Sequence, residues 1–224
     1  MNLLALDTST EYCSVALLAG DELAYREIHA VQRHSELVLP MIGELLAAAG
    51  LMPRQLDVVA FGAGPGSFTG LRIACGVAQG MAFGADIPVV PIGTLVALAE
   101  ESGASQVIAC IDARMGEIYH ATYVRQDAQW IELSAPAVCK PLDAPAVDGE
   151  GWVGVGSGFI AHGEVLKKHY GRGLERVDST LHPHARAMVR LALPELLAGR
   201  GLPPEQATPL YVRDKVALKM HERQ

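Results

Sequence analysis

Phe61-Gly62-Ala63-Gly64-Pro65-Gly66-Ser67 and, later in the chain, Val153-Gly154-Val155-Gly156-Ser157-Gly158 share one pattern, an apolar run that opens into alternating glycines and a serine. Upstream of each lies a second matched pair, Leu4-Ala5-Leu6-Asp7 and Ala109-Cys110-Ile111-Asp112, a short apolar strand that stops at an aspartate before a turn and another strand. Two matched features in matched order predict a duplicated α/β unit. The boundary between the copies is placed near Gly103, giving an N-terminal lobe of residues 1–103 and a C-terminal lobe of residues 104–224.

Working outward, residues 3–6 and 13–18 read as hairpin strands across the polar stretch 7–11, and Gly20-Asp21 turns the chain into a third strand over 22–29. Residues 34–49 carry a helical pattern closed by Gly50 with Pro53 beyond. A strand over 56–61 enters the first glycine loop, a helix follows over 68–83, then a strand over 88–92 and a helix over 94–102. In the second half, strands are expected over 109–112 and 117–124, a helix after the second glycine loop, and a late helix over 184–197 that completes the second unit.

The chain has 224 residues, half of them apolar, enough for a substantial core. Its net charge of −7 excludes a surface that grips phosphate backbones by itself, since that affinity comes from clustered Lys and Arg. The first apolar run ends at Asp7 with no basic residue before it, which is not a secretion signal. The uncharged stretch 73–85 is too short to cross a bilayer, so a cytoplasmic protein is expected. Cys13, Cys75, Cys110 and Cys139 form no C-x-x-C pair and read as reduced core filler.

The glycine loop invites a phosphate reading, because backbone N–H groups at a helix N-terminus attract anions. Its spacing matches neither the dinucleotide fingerprint nor a P-loop, and Pro65 and Thr69 stand where a nucleophile elbow around Ser67 needs glycine. The alternative is structural: Ser67 or Thr69 caps a helix whose tight entry needs glycine. His34 has Val38 at the i+4 position where a metal-binding helix would carry a second ligand, and His182-Pro183-His184 reads as a helix start. No metal set and no cofactor are expected. Asp7 and Asp112, at strand ends facing a cleft between the repeats, could hold a magnesium-bound phosphate or only make turns.

The helix over 68–83 is apolar or small except for Arg72 and Gln79, seven residues apart on one stripe. Gly70, Ala74, Gly76 and Gly80 would let another backbone approach it. The apolar residues of 34–49 spread over roughly 200°, against the ~100° typical of a surface helix. Two neighbouring helices with surplus apolar surface predict either a protein interface or a deeper core. On the interface reading, replacing Ala74 or Gly76 by Arg abolishes pairing and leaves the monomer folded.

Four collinear segments resemble the TsaB family, also called YeaZ: residues 6–10, Gly64-Pro65-Gly66-Ser67-Phe68-Thr69-Gly70-Leu71-Arg72-Ile73, residues 111–119, and Pro209-Leu210-Tyr211-Val212-Arg213. The resemblance implies a two-lobed α/β fold of the actin, Hsp70 and sugar-kinase class (ASKHA, ribonuclease H-like). It implies an inactive relative of TsaD, the subunit that transfers a threonylcarbamoyl group to an adenosine of tRNA. In TsaD the helix matching residues 34–49 carries two metal-binding histidines four apart; here only His34 is in that register. The family pairs with TsaD through the two helices. That implies interface residues His34, Leu37, Val38, Met41 and Leu45 on the first and Gly70, Arg72, Ile73, Ala74, Gly76, Val77 and Gly80 on the second. The usual glycine after Leu-Arg-Ile is Ala74 here. Partners implied are TsaD, the ATPase TsaE, tRNA only indirectly, and a second copy when the chain is alone. The rival reading is a phosphotransferase or metallohydrolase of the same fold class, working through the cleft. The role of residues 126–151 is left open.

Overall fold

The computed structural model describes residues 1–213. Strands β1 (Asn2–Asp7), β2 (Tyr12–Ala19) and β3 (Glu22–His29) form an antiparallel meander, and β4 (Val58–Gly64) and β5 (Val89–Gly93) extend it in parallel in the order β3-β2-β1-β4-β5. A second five-stranded sheet repeats the plan from β6 (Gln106–Arg114), β7 (Glu117–Gln126), β8 (Gln129–Cys139), β9 (Trp152–Val155) and β10 (Leu174–Asp178), ordered β10-β9-β6-β7-β8. In each, a central strand pairs antiparallel with the next strand and parallel with the one that enters the glycine loop.

Helices α1 (His34–Ala48) and α2 (Phe68–Ala85) cover one face of the first sheet, burying Val38, Met41, Leu45, Ala74 and Ala78 against Leu4, Leu6, Val59 and Phe61. Helix α4 (Gly158–Tyr170) covers the matching face of the second sheet. The layer between the sheets holds α3 (Thr94–Glu101) and α5 (Ala185–Leu197), and these cross over. Leu95, Leu98 and Ala99 of α3 pack on the second sheet, whereas Ala185, Met188, Val189 and Ala192 of α5 pack on the first. The expectation that the late helix completes the second unit is therefore corrected. The small residues on one stripe of α5 match the first sheet's Leu3, Ala5, Ala16 and Ala60.

Two buried carboxylates fix this middle layer. Glu100 accepts from Trp130 Nε1 at 2.8 Å and pairs with Arg190 at 2.8 Å and Arg125 at 3.1 Å, so α3 is tied to α5 and to the second sheet. Glu101 is held by Arg186 at 2.6 Å and Arg190 at 2.9 Å. Charges this buried persist only when so partnered. Among the described residues no helix is long and apolar enough to cross a membrane.

Candidate functional site

The lobes meet around a cleft of about 520 Å³. The first lobe lines it with Ser9, Glu11, Val31, His34 and Phe68, the second with Asp112, Arg114, Met115, Tyr119 and Ser157; residues 210–213 form a further wall.

The glycine loop reaches this cleft but offers no anion cradle. The β1–β2 turn has filled it: Ser67 N donates to Ser9 O at 2.8 Å, and Thr8 Oγ1 donates to Gly70 O at 2.6 Å. A Cβ on Gly66 would come 2.5 Å from Ser9 O, and one on Gly70 would collide with Thr8 O. The glycines thus serve a close backbone approach, the structural of the two readings. Ser67 caps α2, its Oγ accepting from Gly70 N at 3.3 Å.

The aspartates do not face each other. Asp7 is fully buried and does not line the cleft, which corrects the expectation from sequence. Its Oδ1 accepts from Ser9 N at 3.1 Å and Ser9 Oγ at 2.8 Å, while Oδ2, aimed at Gly62, has no hydrogen-bond partner. Burial pushes its carboxyl up to about 7, against the smaller downward pull of the Ser9 bonds. Asp112 does line the cleft, with Arg114 paired to it at 3.1 Å. The local difference is what lies alongside: Asp7 sits over Gly62, where the Met188 methyl of α5 also closes in, whereas Asp112 keeps an edge on the cleft with His162 of α4 at 4.0 Å. Among the described residues no three of His, Cys, Asp and Glu are arranged to hold a metal. His34, 8% exposed, uses Nε2 on Thr10 O at 2.9 Å, an ordinary anchor of the α1 start.

The helices divide the twelve residues named from sequence. His34, Val38, Met41, Leu45, Gly70 and Ala74 are buried within the chain. Leu37, Ile73 and Val77 are half-buried, and Arg72, Gly76 and Gly80 are exposed. Much of the apolar arc of α1 is therefore core, because the helix lies over β2 and against α2. The variant Ala74→Arg is corrected too: at 0% exposure it would break the core, while Gly76 has open space around it. The outer face of α1 and α2 combines Leu37, Leu39, Gly43, Ile73, Val77 and Phe83, with Leu39 55% and Phe83 78% exposed.

Two features escaped the sequence reading. Tyr211 accepts from Arg72 Nε at 3.0 Å, a pairing across 139 positions that no local pattern reveals. His120 is buried, its Nε2 sharing a hydrogen bond with Tyr170 Oη at 2.7 Å and its Nδ1 unpartnered, and burial lowers it to about 4.

Residues 27–152 match the family model described as TsaD: tRNA N6-adenosine threonylcarbamoyltransferase. The tRNA threonylcarbamoyladenosine biosynthesis protein TsaB of Haemophilus influenzae is 41% identical, with 98% of this chain and 96% of that protein aligned. The chain belongs to the TsaB (YeaZ) family, within the wider TsaD group. The Escherichia coli TsaB is 39% identical over 98% of this chain and 97% of its own length. The solved structure of YeaZ from Pseudomonas aeruginosa superposes with a TM-score of 0.87 at 39% identity, covering 94% of this chain and 99% of that one. The TsaB resemblance read from four short motifs thus holds over nearly the whole chain, and the two-lobed ASKHA-type fold with it.

Proposed function

We propose that this chain is a non-catalytic scaffold in the formation of threonylcarbamoyladenosine on tRNA, docking through the outer faces of α1 and α2 onto the matching helices of a catalytic TsaD relative. The observation that carries the reading is the set of exposed glycines inside α2. Gly76, Gly80 and Gly84 recur every fourth residue, and a Cβ at any of them would meet nothing within 4 Å. Each costs the helix about 1 kcal/mol relative to alanine. The chain's own fold gets nothing in return. A second backbone lying close along α2 gives such glycines a use, and Leu39, Ile73, Val77 and Phe83 around them supply apolar area.

The same face pairs two copies when the catalytic relative is absent, because a surface made for a homologue suits itself. TsaE joins through the complex, and tRNA is held mainly by other subunits, in keeping with a net charge of −7. The setting is cytoplasmic. A phosphotransferase or metallohydrolase working in the cleft is disfavoured by the sealed position of Asp7 and the ion pair on Asp112.

Mixing the purified chain with the TsaD of its own organism and measuring affinity by calorimetry tests the reading. Gly76→Arg should weaken association by about 100-fold or more, since an unpartnered charge in an interface costs about 3 kcal/mol, with the thermal midpoint of the free chain unchanged. Unaltered affinity, or tight binding and turnover of ATP by the isolated chain, would overturn it.

A further inference from the structure

The segment from Ala207 to Arg213 has no regular structure, yet four of its seven residues are held. Ala207 O accepts from Gln79 Nε2 at 3.0 Å and from Cys75 Sγ at 3.4 Å, fixing the segment's beginning on α2. Leu210 N donates to Ala63 O at 2.7 Å, and Gly64 leaves just enough room for Leu210 O, which a Cβ there would approach to 2.6 Å. Tyr211 packs on Phe68 with ring centres 5.6 Å apart and takes its hydrogen bond from Arg72, whose guanidinium lies 3.8 Å above the Phe68 ring. Arg213 then reaches the other lobe, donating to Glu117 Oε2 at 2.6 Å and facing the Tyr119 ring. Seven residues therefore run from the first lobe to the second along one wall of the cleft.

The bonds differ in how readily they can be exchanged. Those to Ala207 and Leu210 are main-chain anchors. The Arg72–Tyr211 bond joins a guanidinium to a phenol oxygen in the open, and Arg72 stands on α2 one turn before Gly76. A carboxylate is roughly twice as strong an acceptor for a guanidinium as a neutral oxygen. An acidic side chain on a molecule covering α2 would take Arg72 from Tyr211. With that bond gone, Tyr211 would keep its ring contact with Phe68, and Arg213 would carry the segment's tie to the second lobe. Beside the clasp, the pair of Arg114 with Glu11 at 2.8 Å across the lips is exposed on both sides and weak.

We propose that residues 207–213 are a clasp that holds the interlobe cleft shut, and that Arg72 links its release to a carboxylate-bearing partner on the α2 face. The clasp itself stands on the free chain; only its release by a partner rests on the docking reading.

The lobes can be watched directly. Val31 and Ile160 stand on opposite lobes, 63% and 67% exposed and outside the clasp's contacts, while Cys13, Cys75 and Cys110 are buried. In the full chain with Cys139→Ser, Val31→Cys and Ile160→Cys, spin labels on the two introduced thiols give the lobe-to-lobe distance. Arg213→Gln, Tyr211→Phe and Arg72→Gln should each raise the long-distance population, by about fivefold for one lost hydrogen bond. Faster hydrogen exchange at the Leu210 amide should accompany it. All three side chains are surface or rim groups, so folding is retained. Distances unchanged in all three would overturn the clasp. Opening in Arg213→Gln alone would overturn the link through Arg72. TsaD that binds without lengthening the distance would overturn partner-driven release while leaving docking intact. TsaD that fails to bind would remove the docking reading, and the three free-chain variants would still decide the clasp.

Discussion

In the first lobe the aspartate ending the leading strand, Asp7, is sealed beneath α5 with one oxygen unpartnered; in the second its counterpart Asp112 lies on the cleft wall, paired with Arg114. The backbone device is the same in both: Oδ1 of each accepts the amide two residues on, from Ser9 at 3.1 Å and from Arg114 at 2.9 Å. Each glycine loop then packs on the end of that strand, Gly66 against Ser9 O and Gly158 against Cys110. The space over the loop's first glycine differs. Asp7 takes it at Gly62, and the Phe159 ring takes it at Gly154. A duplicated scaffold has kept its main-chain fastening and changed what the fastening buries. The second lobe hides its own unpaired group elsewhere, at His120 under α4.

The two buried groups give the lobes opposite responses to pH, and the larger is that of Asp7. Its carboxyl rises from 3.8 to about 7 in the folded chain, so the native state holds a proton that the unfolded state has released. Stability is full below 3.8 and falls as pH rises through 7, by up to about 4 kcal/mol for the ~3 units involved. Asp7→Asn keeps the Oδ1 acceptor and removes the charge. Urea midpoints should show the variant more stable than the parent at pH 8, with the difference shrinking toward pH 4. Asp112→Asn, which gives up an ion pair on the cleft wall, should cost under about 1 kcal/mol. Equal effects at the two aspartates would erase the contrast between the lobes.

His120 works in the reverse direction. Burial lowers it from 6.5 to about 4, so the native state keeps it neutral while the unfolded state takes a proton. The stability it contributes is present above 6.5 and lost as pH falls toward 4, by about 3 kcal/mol. His120→Gln should flatten the acid limb of stability against pH, with loosening first in β6, β7 and α4 by hydrogen exchange. An unchanged acid limb would mean that the Nδ1 atom finds a partner in solution.

Most of this frame was legible in the chain because it is local. The Gly20-Asp21 turn located β3 to the residue, Gly50 with φ +66 closed the α1 region, and the repeated Leu-Asp and glycine motifs gave the duplicated sheets. Strands β8 and β10 were missed: β8 is an exposed edge inside the stretch left open at 126–151, and Leu174-Glu175-Arg176-Val177-Asp178 has little alternation. The apolar stripe of α5 declared that the helix is covered but not by which sheet. The apolar arc of α1 likewise could not tell core from partner, and much of it proved to be core. Partnerships such as Arg72 with Tyr211 exist only once distant segments are brought together.

The smallest expected effect bears most directly on why the lobes diverged. The outer face of α4 carries the side chains of Ile160, Glu164, Val165 and Lys168, and of its two glycines Gly158 packs on Cys110 while Gly163, half-buried beside the irregular His162, stands alone in open space. The outer face of α2 carries Gly76, Gly80 and Gly84 instead, with room at each for a methyl group. If those glycines answered a need of the free chain, alanine there would destabilise it. Nothing within 4 Å supplies such a need, so Gly76→Ala and Gly80→Ala should each stabilise the free chain by about 0.5–1 kcal/mol, as relief of backbone entropy does at compatible helix positions. The same methyl groups would hold a docked backbone away. Calorimetric affinity for the catalytic relative should therefore fall as the thermal midpoint rises. A pair of variants in which both quantities rise together would leave the glycines of α2 without a reason and the two lobes alike in their outer faces.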